Sequence, residues 1–311
     1  MAIFAMCESR TPQGGLRSFL VEQDSSPVMP IGDTRLWRPG ARANLPAIMR
    51  GTTMPIFGTR RGVLLAAAGV LAGLARPARA ADLLADLTAG TKKLRVGTDA
   101  TFPPFEQTSP DGEKSGFDID LVNAIAKRAG IGGVEFQQVP FGQLVPGLLA
   151  DHIDLAASSI YITPERAKVV DFSTAYFTGG LSVMLKPDDT GVTKPEDLAG
   201  KTVAVQVGTK SVNFLQQNFP GVNLHIAQTN DQMFQALQSK QADAVVTGLP
   251  AAQFYIKVHG GAKLAPFTLT HEQYGLALRK TDTTLLEAVN AALAAMEADG
   301  SLAALKTKWF G

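Results

Sequence analysis

Strand and helix patterns alternate along most of the chain after residue 90. The run "KLRVGTD" (93–99) predicts a short apolar strand, and "FDIDLVNAIAKRAG" (117–130) predicts a helix because its apolar residues recur at helical spacing. A strand over 134–140, a helical run over 143–150 and a strand over 153–157 follow. This βαβαβ order predicts an α/β fold with a mostly parallel sheet flanked by helices.

The same pattern restarts at "KTVAVQVG" (201–208), and part of it is an internal repeat. "QLVPGLLADHIDLAAS" (143–158) aligns without a gap with "QMFQALQSKQADAVVT" (232–247), which pairs Asp154 with Asp243. A repeat of this length, with its own helix and strand, predicts two lobes of like construction.

Strand character returns in "KLAPFTLTHEQYGLALRK" (263–280), ahead of two amphipathic helices. This return predicts that the chain crosses between the lobes twice, leaving the first near Lys186 and re-entering it near Tyr274. Two crossings make a two-strand hinge. The expected first lobe is 91–185 plus 275–311, and the expected second lobe is 187–273.

A ligand cleft is expected between the lobes. In open α/β sheets ligands bind beyond the carboxyl ends of the strands. We therefore expect Ser158–Ser159 and Thr247–Gly248, which end equivalent strands of the repeat, to face one another. By the same argument Asp99 and Gly208–Thr209, which follow the first strand of each lobe, line the cleft.

The first 80 residues contain an export signal. Arg60–Arg61, an apolar run over 63–74 and Ala78–Arg79–Ala80 predict a signal peptide over 54–80, since the apolar run is too short to span a bilayer. We expect cleavage after Ala80, by the general or the twin-arginine route. Residues 1–53 are then expected to be disordered and to result from a gene start assigned too far upstream, with Met54 as the true initiator.

Composition and charge exclude some classes of function. The 311 residues suffice for about two domains. Residues 1–80 hold 10 Lys plus Arg and 4 Asp plus Glu, which leaves 19 against 24 in the remainder, a net charge of −5. Nucleic-acid binding is not expected without a basic stripe. Cys7, the single cysteine, precedes the predicted cleavage site, so no disulfide or thiol chemistry is expected in the mature chain.

Arg166 is unusual in its local setting. Thr163–Pro164 predicts a helix start, with Thr163 as N-cap and proline in the first turn. A cation in that first turn opposes the helix dipole by some tenths of a kcal/mol. Taken alone, Arg166 is equally compatible with a solvated or salt-bridged surface residue, beside Glu165 and Asp171, and with a residue that meets an anionic ligand.

Several blocks of the sequence resemble, in order, those of the family 3 extracellular solute-binding proteins, the periplasmic receptors of polar amino acid ABC transporters. The blocks are "LRVGTDATFPPFE", "GFDIDLVNAIAKRAG", "SIYITPERAKVVDFSTAYF", "DLAGKTVAVQVGT", "ADAVVTGLP", "YGLALRK" and "DGSLAALKTKWFG". The resemblance implies a two-lobed periplasmic binding protein-like fold of type II. It also implies a monomer in the periplasm that captures an amino acid or related small carboxylate by cleft closure, without catalysis or cofactor. The implied partners are the permease subunits of the transporter in the inner membrane.

The resemblance implies roles for individual residues. Arg166 matches the arginine that grips the ligand α-carboxylate, a task that suits a planar guanidinium. The backbone amides of Thr209, Lys210 and Ser211 would complete that anion site. Asp99 matches a contact to the ligand side chain. The remaining implied contacts are Phe102 and Phe141, which stack on or flank the ligand, Ser158 and Ser159, which offer hydroxyl and carbonyl groups, and Gln206, a polar selector from the second lobe; Phe105 is expected in the core.

Two positions depart from the family pattern. Gly248 stands where the family usually has the aspartate that holds the α-ammonium, and losing that bond costs about 1.5–3 kcal/mol. Either Asp99 takes over, or the ligand lacks a standard α-amino group. Tyr161 replaces a small hydroxyl residue and would narrow the pocket while offering a new donor. Restoring aspartate at Gly248 is then expected to favour ordinary amino acids.

Other kinds of site have little support. No G-x-S-x-G motif is present, and "GKT" (200–202) lacks the earlier glycine of a phosphate-binding loop. The histidines show no spacing typical of a metal site, so no metal is expected. The alternative function is a periplasmic cyclohexadienyl or arogenate dehydratase, which uses the same fold and needs a buried carboxylic acid as general acid.

Overall fold

The structure is a computed structural model and describes residues 82–311. The expected N-terminal segment (1–53), the signal peptide (54–80) and its cleavage site lie outside the described residues. Within residues 82–311, no helix is long and apolar enough to cross a membrane.

The helices and strands follow one another as an alternating α/β chain. Up to residue 172 they are α1 (Leu83–Thr88), β1 (Leu94–Thr98), β2 (Thr101–Phe102), β3 (Glu106–Thr108), β4 (Lys114–Ser115), α2 (Phe117–Arg128), β5 (Val134–Gln138), a 3₁₀ turn (Phe141–Gln143), α3 (Leu144–Leu149), β6 (Leu155–Ala156), α4 (Pro164–Ala167) and β7 (Val170–Phe172). Beyond it they are β8 (Phe177–Gly179), β9 (Leu181–Leu185), a 3₁₀ turn (Pro195–Leu198), β10 (Thr202–Gln206), α5 (Lys210–Asn218), β11 (Asn223–Ala227), α6 (Asn230–Gln238), β12 (Ala244–Gly248), α7 (Leu249–His259), β13 (Lys263–Thr268), β14 (Glu272–Tyr274), β15 (Ala277–Arg279), α8 (Thr283–Ala298) and α9 (Ser301–Phe310).

Two five-stranded sheets form the two lobes. The first lobe has the strand order β5-β1-β6-β15-β7, and the second has β11-β10-β12-β9-β13. In each sheet the first three strands are parallel, and the last two are joined antiparallel. The prediction of a two-lobed α/β fold is confirmed, with the difference that the sheets are mixed. The antiparallel strands are those of the two crossing segments, which enter their sheets from the hinge side.

The predicted boundary of the first lobe after residue 185 is wrong. Strand β9 pairs with β12 and β13 in the second lobe, so the chain leaves the first lobe at β8 and returns at β14. All five residues of β9 are buried, and such an apolar run fits a central strand of either sheet. The crossing itself is marked by close packing, since a Cβ on Gly180 would lie 2.1 Å from the carbonyl oxygen of Thr270.

Apolar periodicity explains the helices that cover the first sheet. Helix α2 buries Phe117, Leu121 and Ile125 on one face, and the chain turns at Gly130, which has a φ of +69°. Phe105 is fully buried, as predicted, in an aromatic cluster with Phe117, Phe177 and Phe310. The ring centroid of Phe310 lies 4.9 Å from that of Phe105. Helix α9 therefore completes a core that begins more than two hundred residues earlier.

Helix α4 begins where the sequence predicts it. The side chain of Thr163 accepts a hydrogen bond from the backbone N–H of Arg166 at 3.3 Å, and Pro164 occupies the first turn. The helix is a single turn, and its main effect is to orient the Arg166 side chain at the edge of the first lobe.

Candidate ligand-binding site

A cavity lies between the lobes, and about 40 Å³ of it is free for water-sized molecules in this arrangement. The residues predicted from the sequence that line it are Asp99, Phe102, Phe141, Ser158, Ser159, Tyr161, Gln206, Thr209, Lys210 and Gly248. The other lining residues are Glu106, Leu181, Ser211, Asn230, Met233, Val246, Thr247 and Tyr274.

Sheet topology explains why distant residues meet here. Asp99 follows β1 and Ser158 follows β6, which are parallel neighbours in the first sheet. Gln206 ends β10 and Gly248 ends β12, which are parallel neighbours in the second sheet. The carboxyl ends of both pairs open on the same cavity, as the repeat predicts.

Glu106 lines the cavity, and the sequence pattern did not assign it a role. It is 1% exposed, and its carboxyl oxygens accept hydrogen bonds from the hydroxyls of Ser158 at 2.7 Å and Ser159 at 3.3 Å. Ser158 Oγ in turn accepts from the backbone N–H of Asp99 at 3.1 Å. The two serine hydroxyls, expected to face the ligand, are therefore already engaged by Glu106.

A second buried carboxyl group lies behind Glu106. Asp118 accepts from the backbone N–H of Ser159 at 2.7 Å and from the hydroxyl of Tyr176 at 3.0 Å. Burial raises the pKa of Asp118 to about 7, and burial together with the neighbouring Asp118 raises the pKa of Glu106 well above its usual range. Ser159 is held at a φ of +48°, a conformation uncommon outside glycine. Burial therefore favours the protonated form of both carboxyl groups, and their hydrogen bonds to Ser158 and Ser159 shape the loop after β6.

Asp99 is the carboxylate that faces the cavity without a cation. Its side chain accepts hydrogen bonds from Thr101 Oγ1 and from Gln206 Nε2, both at 2.7 Å. Burial raises the pKa of Asp99, while those two bonds favour the charged form. Within residues 82–311, no Lys, Arg or His lies within ion-pair distance of it. A buried carboxylate of this kind is stabilised by a cation from outside.

Arg166 lies beside the cavity and not in its wall. Its guanidinium donates to the carbonyl oxygen of Tyr161 at 2.9 Å and to that of Gly208, on the second lobe, at 3.2 Å. It also lies over the ring of Phe141, 5.4 Å from the centroid. Desolvation lowers its pKa to about 10, so it remains charged at neutral pH. No carboxylate in the described part of the chain lies within 4.0 Å of it, so this half-buried cation lacks an anionic partner there.

The amino end of α5 faces the same region from the second lobe. Thr209 is the N-cap, but its hydroxyl donates to the carbonyl oxygen of Gln206 at 2.7 Å and caps no amide. The ammonium of Lys210 is paired with Glu272 on the hinge strand. What α5 offers to the cavity is thus its first backbone amides, which have no partner within the helix and attract anions.

The lobes touch each other directly around the cavity. Gln206 bonds Asp99, and the amide of Asn230 donates to the hydroxyl of Thr101 at 3.3 Å and to Gln206 at 3.0 Å. A Cβ on Gly208 would lie only 2.6 Å from Cα of Gly142 across the cleft. These contacts describe a closed arrangement of the lobes.

Sequence reasoning missed three polar residues of the cavity: Glu106, Asn230 and Tyr274. Glu106 and Tyr274 lie inside blocks that carry the family resemblance, but their roles depend on partners far away in the chain. Asn230 follows Thr229, the N-cap of α6, and could have been found as a polar residue at a helix start. Among residues 82–311 no group of His, Cys, Asp or Glu is arranged to hold a metal ion.

Comparison with known proteins places this geometry in context. Residues 94–311 match the profile of the bacterial extracellular solute-binding proteins, family 3. The L-cystine-binding protein TcyJ of Escherichia coli (strain K12) is 33% identical over 220 residues, which is 70% of this chain and 82% of that protein. The ABC transporter arginine-binding protein 1 of the same organism is 32% identical over 238 residues, which is 74% of this chain and 97% of that protein.

A solved structure agrees with these relatives. The chain resembles the ancestral amino acid-binding protein AncCDT-1, a precursor of cyclohexadienyl dehydratase, with a TM-score of 0.69 and 38% sequence identity. The match covers 73% of this chain and 99% of that structure. The match therefore extends over nearly the whole neighbour.

Proposed function

Because the chain belongs to the bacterial extracellular solute-binding proteins of family 3 and is a substrate-binding protein of an ABC importer, we propose that it captures an amino acid or a related small carboxylate that also carries a cation. The observation that carries the proposal is the buried Asp99 carboxylate, which has no cationic partner in the described residues and lies in one cavity with the amino end of α5. A ligand with one charge of each sign matches both ends of this cavity.

The carboxylate end of the ligand binds at the junction of the lobes. Arg166, which has no anionic partner among residues 82–311, supplies a guanidinium, and the first amides of α5 supply neutral donors. The guanidinium exchanges its bond to the Gly208 carbonyl for the ligand, moving from the rim into the cavity. Asp99 receives the cationic group of the ligand at the other end.

Capture proceeds by closure of the two lobes about the hinge strands β8 and β14. Ligand docks on the first lobe, and the second lobe then contributes Gln206, Asn230 and the α5 amides. Contacts between the lobes, such as Gln206 to Asp99, already favour the closed form, so a ligand need supply only part of the free energy of closure. The permease subunits of the transporter bind the closed monomer, because closure fixes both docking surfaces at once.

The histidine-binding periplasmic protein of Escherichia coli (strain K12) is 31% identical over 229 residues, and the same compartment is proposed for this chain. The segment 54–80 would direct export, and cleavage after Ala80 would release the mature receptor. Recovery of a protein starting at Ala81 from the periplasm of expressing cells is the expected result, and retention of the intact N-terminus in the cytoplasm would contradict it.

The direct test is titration calorimetry of the processed protein with amino acids, their Nα-substituted derivatives and simple carboxylates. We expect stoichiometric binding of at least one of them and its recovery unchanged. Arg166→Ala is expected to lose affinity by about a hundredfold, roughly 3 kcal/mol, with little change in the melting temperature of the unliganded protein. Arg128→Ala, which removes an exposed arginine paired with Asp299, is the matched control. Normal binding by Arg166→Ala would overturn its role.

A second candidate function is suggested by Glu106, a buried carboxyl group in the cavity wall whose raised pKa favours the protonated form. A neutral carboxylic acid in such a place is what a dehydratase needs as a general acid. Incubation with prephenate or arogenate tests this candidate, since an enzyme depletes its substrate and loses that activity in Glu106→Gln. A receptor leaves both compounds unchanged. The hydrogen bonds of Glu106 to two serine hydroxyls favour a structural role and hence the receptor.

A further inference from the structure

The wall of the cavity around Gly248 is closed by aromatic side chains. A Cβ on Gly248 would lie 2.6 Å from the hydroxyl oxygen of Tyr274, 3.2 Å from Cζ of Phe102 and 3.3 Å from the hydroxyl oxygen of Tyr161. Gly248 has a φ of −64°, which any residue adopts, so packing and not backbone conformation requires glycine here. No side chain fits at this position while Tyr274 keeps its place.

Tyr161 and Tyr274 form a rigid pair. Their rings stack with centroids 4.6 Å apart and planes 16° apart, and their hydroxyl oxygens are 3.1 Å apart. A backbone bridge joins the two residues, and they are 7% and 1% exposed. The ring of Tyr274 also packs on Gly179, where a Cβ would come within 2.8 Å of it. The pair cannot move aside without disturbing the hinge strands.

The two phenol hydroxyls in this wall are uncharged and can donate a hydrogen bond to a ligand. Burial raises the pKa of both phenols, so neither is an anion at physiological pH. Two hydroxyls hold two protons, and one proton is used in the bond between them. Whichever phenol donates to the other, one O–H remains, and it has no acceptor among the described residues. The wall therefore suits a hydrogen-bond acceptor on the ligand and offers no counter-charge to an ammonium.

Gly248 places the aromatic wall next to the α-carbon of a ligand whose carboxylate is bound at α5. Strands β10 and β12 are parallel neighbours, so the amino end of α5, which follows β10, lies beside Gly248 at the end of β12. A ligand whose carboxylate meets the α5 amides places its α-substituent against the phenols. The uncompensated carboxylate, Asp99, lies on the other lobe and is left for a cation elsewhere on the ligand.

We propose that Tyr161 and Tyr274, packed on Gly248, determine specificity by selecting acids that present a neutral acceptor in place of a free α-ammonium. The ligand class is that of Nα-acylated amino acids with a cationic side chain, whose amide carbonyl accepts from the free phenol O–H and whose cation meets Asp99. The inference rests on the proposed function and names the substrate class of that same site.

Matched ligands test the proposal by calorimetry on the processed protein. We compare lysine with Nα-acetyllysine and 6-aminohexanoate, and arginine with Nα-acetylarginine, and we run all standard amino acids and their Nα-acetyl derivatives as a panel. The tightest ligand is expected to lack a free α-ammonium and to bind at least tenfold more tightly than its parent amino acid. The reverse ranking overturns the inference and leaves the proposed function intact. Binding of none of these acids overturns the proposed function itself.

Variants test the packing argument separately. Gly248→Ala is expected to lower the melting temperature clearly in the natural chain and less in Tyr274→Phe, which lacks the oxygen 2.6 Å from the new Cβ. Equal losses in both backgrounds would contradict the steric coupling. For the same reason Gly248→Asp alone is not expected to restore an ammonium site, contrary to the expectation from sequence.

A redesigned wall gives the specificity readout. The triple variant Tyr161→Ser, Tyr274→Phe, Gly248→Asp creates space and a carboxylate, and it is expected to shift the ratio of affinities by tenfold or more toward free amino acids. Tyr255→Phe, a phenol outside the cavity, is the control and is expected to leave the ratio unchanged. A folded triple variant with the natural ratio would overturn the proposal.

Discussion

The two lobes repeat one structural device but reinforce it differently. Asp154 in the first lobe donates its backbone N–H to the carbonyl of Arg95 and accepts the N–H of Arg95 on its side chain. Asp243 does the same with Thr202 in the second lobe, at distances of 2.7 and 2.9 Å. We call this pair of hydrogen bonds the backbone clamp. It fixes the start of β6 against β1 in the first lobe and the start of β12 against β10 in the second.

The surroundings of the two aspartates differ sharply. The side chain of Asp154 is 2% exposed and is paired with Arg95 and Arg279 at 2.6 and 3.0 Å. The side chain of Asp243 is 47% exposed, and its cation, Lys186, is 3.9 Å away. The repeat therefore preserves the backbone clamp, whereas the close ion pairs to a buried aspartate are found at Asp154 and not at Asp243.

A similar division runs through the cavity. The first lobe supplies Asp99 and Glu106, with Arg166 beside the cavity, while the second lobe supplies Gln206, Asn230, backbone amides and Lys210, whose ammonium is already paired with Glu272. Asp99 and Arg166, both from the first lobe, therefore determine which charged groups of a ligand fit the site. The second lobe completes the site with neutral bonds that form when the lobes meet.

The largest expected effect concerns the two clamps. Asp154→Ala removes the buried partner of Arg95 and Arg279, which keep Asp151 and Asp282, and is expected to lower the free energy of unfolding by about 3 kcal/mol. Asp243→Ala removes one hydrogen bond at a half-exposed site and is expected to cost about 1 kcal/mol. Urea unfolding of both variants measures the difference. Equal losses would mean that the ion pairs add nothing to the first clamp.

A smaller effect is expected where the lobes touch. Gly208→Ala places a Cβ 2.6 Å from Cα of Gly142 and is expected to weaken ligand binding at least tenfold, about 1.4 kcal/mol, by obstructing closure. Gly200→Ala is the matched control, because Gly200 has a φ of +76° but nothing within 4 Å of its Cβ position. Both variants share the strain of a left-handed residue, so calorimetry should show the loss of affinity in Gly208→Ala only. Loss in both would assign it to strain.

A pH dependence of stability is also expected, and it originates in the first lobe. A buried acid with a raised pKa binds more protons folded than unfolded, so the stability it contributes is full below about pH 4 and is lost as the pH rises through about 7. Asp118→Asn is expected to reduce the fall in unfolding free energy between pH 4.5 and 7.5. Asp299→Asn is the control, because hydrogen bonds to Ser301 and Arg128 lower the pKa of Asp299 to about 2, outside this window. An unchanged slope in Asp118→Asn would show that the buried pair does not titrate there.

Local patterns in the sequence were sufficient for most of the fold. Apolar spacing located α2, and the repeat correctly predicted that Ser158 and Gly248 end equivalent strands on one cavity. The same patterns could not place β9, since an apolar strand with both faces buried is compatible with either sheet. Hydrophobicity reports burial and not the identity of the neighbouring strand, which depends on pairing between residues far apart.

The site was predictable only in part for the same reason. Asp99 and Gln206 were expected at strand ends and lie in the cavity, where they bond each other. The relation between Gly248 and Tyr274 joins residues on β12 and β14 and has no local signature. Tyr161 and Gly248 were both recognised as departures from the family pattern, but only the distances between them reveal that one fills the space left by the other.

The order of the strands in the first sheet also affects how the protein is made. Strand β15, which lies between β6 and β7, and Phe310, which completes the aromatic cluster, are translated after all of the second lobe. A nascent chain can therefore complete the second-lobe sheet (β9–β13) while β6 of the first lobe still has an unpaired edge. This reverses the usual order, in which the N-terminal part of a chain folds first. Ribosomes that stop before residue 277 would release chains with a finished second lobe and an exposed, aggregation-prone first one.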